Sequence, residues 1–316
     1  MIISMKITDI HTHGIGGFDT RANLIQNILK IAGIHGSYGV SEILLTIYPA
    51  PIKAMRENME IAKKAIEMQD TGQISQSPTL LKGGKGGLQN HISEFELSGT
   101  KQSKITGIHI EGPFLNPVKS GALNTDSFIE ANEYNFCKLI EGFEDMVKII
   151  TVAPEIKGSV EIIRTISDKG IIVSMGHSDA TYAEAEAGFH AGARGITHIF
   201  NAMRGFHHRE PGIAGFGLLN QDIYIEIIAD PFHLHEKTVE LIFKTKNRDR
   251  IIMVSDTVKE TKTFPENKSV ADIHGKLLGG SMTVAESAQR LIQTGYDEGV
   301  IMNCITANPE RYLMGK

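Results

Sequence analysis

Imidazole and carboxylate side chains follow several short β-branched runs of the chain, and these side chains are the ones that bind transition metals. His11 and His13 follow the first run, where their i, i+2 spacing puts both imidazoles on the same face of a strand. Later runs are followed by Glu111, His177, His198 and Asp256. A single histidine of this kind is more often a core or loop residue, but five such runs together indicate one shared site.

The donor types in this set indicate which metals it would bind. Neutral imidazoles together with carboxylates favour Zn²⁺, Fe²⁺ or a similar divalent ion, whereas an all-oxygen set would favour Mg²⁺ or Ca²⁺. Six potential ligands are enough for two ions if Glu111 bridges them, so we expect one or two ions. Such a site lowers the pKa of a bound water to about 7. Asp256 is the candidate for the group that takes the water's proton and later delivers it to a leaving group.

The elements that must position these residues alternate between β-branched runs and longer amphipathic stretches, which is typical of βα units around a parallel sheet. Eight strands are predicted: Lys6 to Asp9, Glu42 to Thr46, Ile105 to Ile110, Val147 to Val152, Ile171 to Ser174, Ile196 to His198, Tyr224 to Ala229 and Ile251 to Val254. Seven helices are predicted: Ala22 to Ile34, Ile52 to Met68, Asp126 to Glu141, Ser159 to Lys169, Ala180 to His190, Glu236 to Lys246 and Val284 to Thr294. This count favours a (β/α)8 TIM barrel, in which all strand ends meet at one rim, over an open doubly wound sheet.

Two irregular segments interrupt the alternation. The interval from Gln69 to Lys104 is long and glycine-rich, which predicts a surface insertion at about residues 70–104 within a single barrel domain of residues 1–316. Phosphate binding by Gly83 to Gly87 is the alternative, although no G-K-[ST] motif follows these glycines. The second segment, Lys259 to Ile273, follows the last strand and is a candidate to cover the mouth of the barrel.

Composition limits the classes of partner. The chain has 316 residues, 41% of them hydrophobic, and its 32 basic and 37 acidic residues give a net charge of −5, so we expect no nucleic-acid partner. Cys137 and Cys304 are far apart and indicate neither a disulfide framework nor a thiolate zinc site. No signal peptide or membrane span is expected, and a cytoplasmic location is the default.

The loop after the sixth predicted strand carries a second kind of chemistry. Asn201 is followed by Arg209 and by glycines, and an arginine together with the N–H groups that glycine-rich turns expose suits a phosphate. The alternative for Arg209 is a surface ion pair with Glu210.

Several motifs, in this order, closely resemble the N-acetylglucosamine-6-phosphate deacetylases of the amidohydrolase superfamily. The distinctive ones are G-I-H-I-E-G-P-F, T-H-I-F-N-A-M and R-E-P-G, which begin at Gly107, Thr197 and Arg209. The others are H-T-H from His11, G-H-S-D-A-T from Gly176, A-D-P-F-H from Ala229 and S-D from Ser255. The resemblance extends from about Thr8 to Arg290.

The resemblance implies a (β/α)8 barrel of the metal-dependent amidohydrolase type, in which a metal-bound hydroxide attacks the N-acetyl carbonyl. It implies that Asp256 is the catalytic general base and acid. Glu111, His177 and His198 match the principal metal site, and His11 and His13 match the second site of two-metal members. Asn201, Ala202, Arg209 and His233 match positions that bind the sugar phosphate, although the segment around His233 also suits an ordinary turn. Ala122 and Leu123, in the motif that follows E-G-P-F, match further substrate-binding positions. Because the family's arginine acts across a dimer interface, a homodimer is implied.

The sequence departs from the family pattern at three places. Leu123 stands where the family has a histidine that polarises the substrate carbonyl and orients the sugar. The small β-sandwich that usually accompanies the barrel is not expected in this chain. Thr257 to Glu260 replace a small, alanine-rich stretch, so the pocket floor is expected to differ.

These departures leave the metal chemistry intact and the exact substrate open. N-acetylglucosamine 6-phosphate or a related phosphorylated N-acetyl amino sugar is the leading expectation. A different cyclic amide, amide or phosphoester substrate is the first alternative. A non-catalytic relative that binds sugar phosphates is the second, although such a protein would be expected to lose ligands or Asp256.

Overall fold

The computed structural model describes residues 6–72, 102–262 and 268–315, and within them eight parallel strands form a nearly closed barrel. The strands are β1 Thr8–Thr12, β2 Glu42–Ile47, β3 Lys104–Glu111, β4 Val147–Val152, β5 Ile172–Met175, β6 Gly195–Ile196, β7 Tyr224–Ile228 and β8 Ile251–Val254. Each pairs in parallel with the next strand along the chain. The predicted (β/α)8 barrel is confirmed.

Hydrogen bonds join β1 and the residue after it to the segment that follows β8. The backbone N–H of Asp256 donates to the carbonyl of His11 (2.9 Å), and that of His13 donates to the carbonyl of Thr257 (2.8 Å). The buried carboxylate of Asp9 also accepts the backbone N–H of Ser255 (3.2 Å). These bonds bring the two ends of the sheet together at the rim where the candidate ligands lie.

Ten α-helices lie within the described residues. They are α1 Ile25–Ser37, α2 Ile52–Asp70, α3 Glu133–Ile140, α4 Ser159–Asp168, α5 Tyr182–Ala191, α6 Gly212–Leu219, α7 Glu236–Thr245, α8 Val284–Gln293, α9 Glu298–Ile305 and α10 Ala307–Leu313. Capping boxes begin α5 at Thr181 and α8 at Thr283, where each threonine side chain and a glutamate three residues later satisfy each other's backbone N–H groups.

The apolar side chains form two cores, because successive strand residues point alternately into the barrel and outward to the helices. The larger core fills the space between the strands and the helices. The smaller one fills the barrel and consists of Ile10, Leu44, Ile149, Tyr224, Ile228, Ile252, Val254 and Tyr312. Because side chains fill the lumen, the chemistry is confined to the rim.

The structure differs from the predicted elements mainly in its helices. The stretch predicted as helix from Asp126 to Glu141 is a short 3₁₀ turn at Thr125–Ser127 followed by α3. Helices α6, α9 and α10 were not predicted. In α6, whose sequence is Gly-Ile-Ala-Gly-Phe-Gly-Leu-Leu, seven of eight residues are buried, so no polar face marks the helical period.

The predicted insertion begins where α2 ends and finishes where β3 begins. The Gln69 side chain ties these two ends together, since its amide donates to the Ser103 carbonyl (3.0 Å) and accepts the Ile105 N–H (2.9 Å). Residues 73–101, including Gly83 to Gly87, lie outside the described residues, as do residues 263–267 of the second irregular segment. Among the helices described, none is both long and apolar enough to span a membrane.

Candidate metal centre and substrate cavity

Glu111, the last residue of β3, lies at the centre of the predicted ligand set. Its Oε1 atom is 3.1 Å from His177 Nε2 and 3.0 Å from His198 Nε2. The same oxygen is 3.4 Å from His11 Nε2, and Oε2 is 3.1 Å from His13 Nε2. One buried carboxylate therefore contacts four imidazoles, which is the position required of a bridging ligand.

Asp256 completes a second group on the opposite side of Glu111. Its Oδ1 atom is 3.4 Å from His11 Nε2 and 3.7 Å from His13 Nε2. Two sets of potential ligands result, one of Glu111, His177 and His198 and one of His11, His13 and Asp256, and within each set the ligand atoms lie within 4.8 Å of one another. The structure thus brings all six predicted metal ligands together.

Three of these ligands have left-handed backbone conformations, which non-glycine residues rarely adopt. His177, His198 and Asp256 have φ angles of 47°, 33° and 48°. Such a conformation costs roughly 1–2 kcal/mol per residue, so surrounding bonds must hold it. His198 lies two residues beyond the end of β6. The prediction that it is the last residue of a strand was therefore wrong.

A second layer of polar groups orients two of the four imidazoles through their other ring nitrogens. His11 Nδ1 lies 3.3 Å from Glu226 Oε2, and His177 Nδ1 lies 3.0 Å from the Lys119 carbonyl. A partner of this kind fixes the tautomer so that Nε2 is left for the metal. Sequence reasoning missed Glu226, although a glutamate within the apolar strand Tyr-Ile-Glu-Ile-Ile was a usable signal.

The electrostatics of the cluster fit a bound cation. Burial by itself raises the pKa of Glu111 and lowers those of His11 and His198, yet the contacts between these groups reverse each shift. The pKa of Glu111 ends well below its usual range, whereas those of His11 and His198 are raised. In addition, the fully buried His11 Nε2 atom makes no hydrogen bond within the described residues. The buried carboxylates stabilise positive charge at this position, so a divalent ion suits the donor set.

A cavity of about 260 Å³ opens above the ligands. Sixteen residues line it: His13, Tyr48, Glu111, Gly121, Ala122, Leu123, His177, His198, Asn201, Ala202, His233, Asp256, Lys276, Leu277, Leu278 and Gly279. Five of the six predicted substrate-binding residues are in this set, and Leu123 contributes an apolar surface. Tyr48 and the segment from Lys276 to Gly279 were not anticipated from the sequence.

Local hydrogen bonds position the cavity residues expected to bind phosphate. His233 Nδ1 lies 3.0 Å from both carboxylate oxygens of Asp230. Burial opposes ionisation of Asp230, but its bonds with His233 and with the backbone N–H of Ser281 prevail and lower its pKa to about 2. The Asn201 amide donates to the carbonyls of His198 and Ile199 at 3.3 Å, and its backbone N–H donates to the His198 carbonyl at 3.0 Å, so both of its donor groups are used within the loop.

Arg209 is the predicted site residue that the structure does not bring to the cavity. Its side chain is exposed, and it is absent from the cavity wall. The alternative of an ion pair with Glu210 is not realised either, since Glu210 Oε1 accepts the backbone N–H groups of Tyr182 and Gly212. Its predicted role on a neighbouring subunit's substrate remains a prediction.

Several known proteins are similar to this chain in sequence. No protein-family model matches the chain. The N-acetylglucosamine-6-phosphate deacetylase of Lysinibacillus sphaericus is 37% identical over 56% of this chain and 45% of its own length. The Bacillus subtilis enzyme of that name is 33% identical over 72% and 56%. An Escherichia coli N-acetylgalactosamine-6-phosphate deacetylase is 25% identical over 96% and 76%.

The match to the first two relatives spans about half of their length. Solved structures agree in fold. The Thermotoga maritima deacetylase has a TM-score of 0.78 at 23% identity, covering 98% of this chain and 78% of its own. The Mycobacterium smegmatis enzyme, in complex with N-acetyl-D-glucosamine-6-phosphate, has a TM-score of 0.81 at 20% identity, covering 98% and 77%. The resemblance predicted from the motifs is confirmed: this chain is a relative of the N-acetylglucosamine-6-phosphate deacetylases and carries their amidohydrolase-type barrel.

Proposed function

We propose that this protein hydrolyses the N-acetyl group of N-acetylglucosamine 6-phosphate or a closely related phosphorylated amino sugar. The observation that carries the proposal is a pair of adjacent ligand sets, one containing Glu111 and one containing Asp256, with Glu111 in contact with histidines of both sets beside a cavity. The names of the relatives support the choice of substrate. We assign the site to one or two divalent transition ions, Zn²⁺ or Fe²⁺, on the basis of its imidazole and carboxylate donors.

An ion at this site would polarise the acyl oxygen and lower the pKa of a water to about 7. The proton transfers are then carried out by a side chain of the protein. Asp256 projects toward both His11 and His13 from the cavity wall, so its carboxylate is placed to accept a proton from the attacking water. The same carboxyl group returns that proton to the amine nitrogen as the C–N bond breaks. Acetate and the free amino sugar are the products.

The opposite part of the cavity would hold the sugar phosphate. His233, fixed by Asp230, and the backbone N–H of Ala202 are its proposed ligands within one subunit, and Asn201 lines the cavity beside them. Arg209, exposed on the loop after β6, is proposed to reach the phosphate bound by a second copy of the chain. This arrangement requires a homodimer.

Leu123 is the observation that supports a second candidate. An apolar side chain in the cavity wall cannot donate a hydrogen bond to a sugar or an acyl oxygen, so a different amide, including a cyclic one, is the alternative substrate. Because the E. coli relative is named for N-acetylgalactosamine 6-phosphate, this galactose epimer is a second sugar to be tested. The metal ligands and Asp256 keep the same roles for either substrate.

The test combines metal analysis with an amine-release assay. The purified protein is expected to contain about one to two equivalents of transition metal. It should release amine from N-acetylglucosamine 6-phosphate or its galactose epimer, and much more slowly from N-acetylglucosamine lacking the phosphate. Protein that contains no metal, and gains neither metal nor activity when Zn²⁺ or Fe²⁺ is added, would contradict the proposal. Bound metal without hydrolysis of either phosphorylated sugar would favour the second candidate.

A further inference from the structure

Tyr48 occupies a defined place in the cavity wall directly after β2. Its ring stacks on the His13 imidazole with a centroid distance of 3.7 Å and an interplanar angle of 20°. The guanidinium carbon of Arg21 lies 4.2 Å from the centre of the same ring. Arg21 is itself held by Asp19, to which it donates bonds of 2.9 and 2.6 Å. The phenol is therefore fixed between a candidate metal ligand and an anchored arginine.

The hydroxyl group of Tyr48 has no assigned structural task. No group within the described residues forms a hydrogen bond with it, although the Tyr48 side chain is partly buried in the cavity wall. A phenol has a pKa of about 10 and carries its proton at neutral pH. An unused O–H donor thus stands beside His13 in the wall of the substrate cavity.

Other side chains of the cavity are less suited to this role. The Asn201 amide already donates to two carbonyls, and His233, whose Nδ1 is bonded to Asp230, is proposed above to bind the phosphate. Leu123 has no polar atom, and Lys276 is an exposed residue of the cavity wall. Tyr48 contacts the ligand group that contains Asp256, which is the part of the cavity where an acyl group would react.

We propose that the Tyr48 hydroxyl donates a hydrogen bond to the acyl oxygen of the substrate in the transition state. This inference rests on the proposed function and adds a catalytic residue to it. As the water oxygen bonds to the acyl carbon, the C=O electron pair moves onto the acyl oxygen, and the phenol stabilises that charge without giving up its proton. The pair returns as the C–N bond breaks, and the nitrogen takes the proton held by Asp256.

The central variant is Tyr48→Phe, which removes only the hydroxyl and keeps the ring between His13 and Arg21. Loss of one donor to a developing oxyanion typically lowers kcat by about 10² to 10³, and KM should change little because the bond strengthens only in the transition state. Metal content and thermal stability should be unchanged. Tyr134→Phe is the matched control, because Tyr134 is 72% exposed on α3.

A second measurement does not depend on turnover. Acetohydroxamate, whose carbonyl oxygen stands in for the acyl oxygen, is titrated into the metal-loaded protein, and its affinity is expected to fall at least about tenfold in Tyr48→Phe. If wild type hydrolyses the sugar phosphate but Tyr48→Phe keeps both kcat and hydroxamate affinity, the Tyr48 assignment is overturned and the proposed function stands. If wild type hydrolyses neither sugar but the variant loses hydroxamate affinity, the proposed function fails and the acyl-oxygen contact of Tyr48 is supported.

Discussion

Replacing Glu226 tests whether the second layer of the metal centre acts as the geometry indicates. Glu226 lies on β7, is 1% exposed, and its Oε2 atom lies 3.3 Å from His11 Nδ1. Its Oε1 atom has no hydrogen-bond partner within the described residues. Glu226→Leu therefore removes a single interaction, the one that holds His11 in the tautomer with Nε2 available to a metal.

The size of the effect follows from that one bond. Losing the partner of a metal-bound histidine typically weakens metal affinity by about 10- to 100-fold, equivalent to about 1.4–2.7 kcal/mol. Glu226→Gln can still accept from Nδ1 but lacks the charge, and a neutral hydrogen bond is weaker by about 1 kcal/mol, so roughly fivefold is expected. The weakened ion should be the one assigned to His11, His13 and Asp256.

The assay is a Zn²⁺ titration in competition with a chromogenic chelator, repeated with Co²⁺ and its visible absorption spectrum. Thermal unfolding of the metal-free proteins is measured in parallel, and a loss of about 1–3 kcal/mol is expected, because the substitution leaves the buried His11 Nδ1 without a partner. Glu240→Gln, on the surface of α7, is the control. If Glu226→Leu binds Zn²⁺ and Co²⁺ with wild-type affinity, the assigned role of Glu226 is refuted.

Three further predictions concern the proton carrier, the cavity wall and the fold. Asp256→Asn should lower kcat by at least about 10² while metal content, measured by mass spectrometry, stays the same; loss of one equivalent of metal would instead make Asp256 an essential ligand. Leu123→His should raise kcat/KM for the N-acetyl sugar phosphate by about tenfold relative to Leu123→Ala, and an unchanged value would show that this position does not limit the reaction. Burial lowers the pKa of Lys246 to about 7, below its unfolded value of 10.5, so the unfolded state binds more protons between these two pH values. Wild-type stability in urea should therefore rise from about pH 7 to about pH 9 relative to Lys246→Met, and parallel pH profiles of the two proteins would contradict this.

Most of the candidate metal ligands could be predicted from the sequence, because they lie at the ends of predicted strands. The β-branched runs before His11, Glu111 and Asp256 located the strand ends, and a parallel barrel places all such ends at one rim. The resemblance added Asn201, Ala202 and His233, and these residues line the cavity. Their assignment required only chain order and strand direction, which local sequence patterns carry.

Other features depend on contacts between distant segments and have no local signature. Tyr48 joins the cavity because the end of β2 lies beside the end of β1, where His13 supplies the face on which its ring stacks. Glu226 meets His11 across the lumen, 215 residues away along the chain.

The sequence by itself predicted the barrel, the six candidate metal ligands and the similarity to a deacetylase family, because strand periodicity and short motifs are local properties. Only the tertiary structure decided which imidazoles share Glu111 and which second-layer groups orient them. It also decided that Arg209 is exposed and does not line the cavity. The left-handed backbone at His177, His198 and Asp256 has the same origin, because its cost is met by packing and hydrogen bonds between strands that the local sequence does not contain.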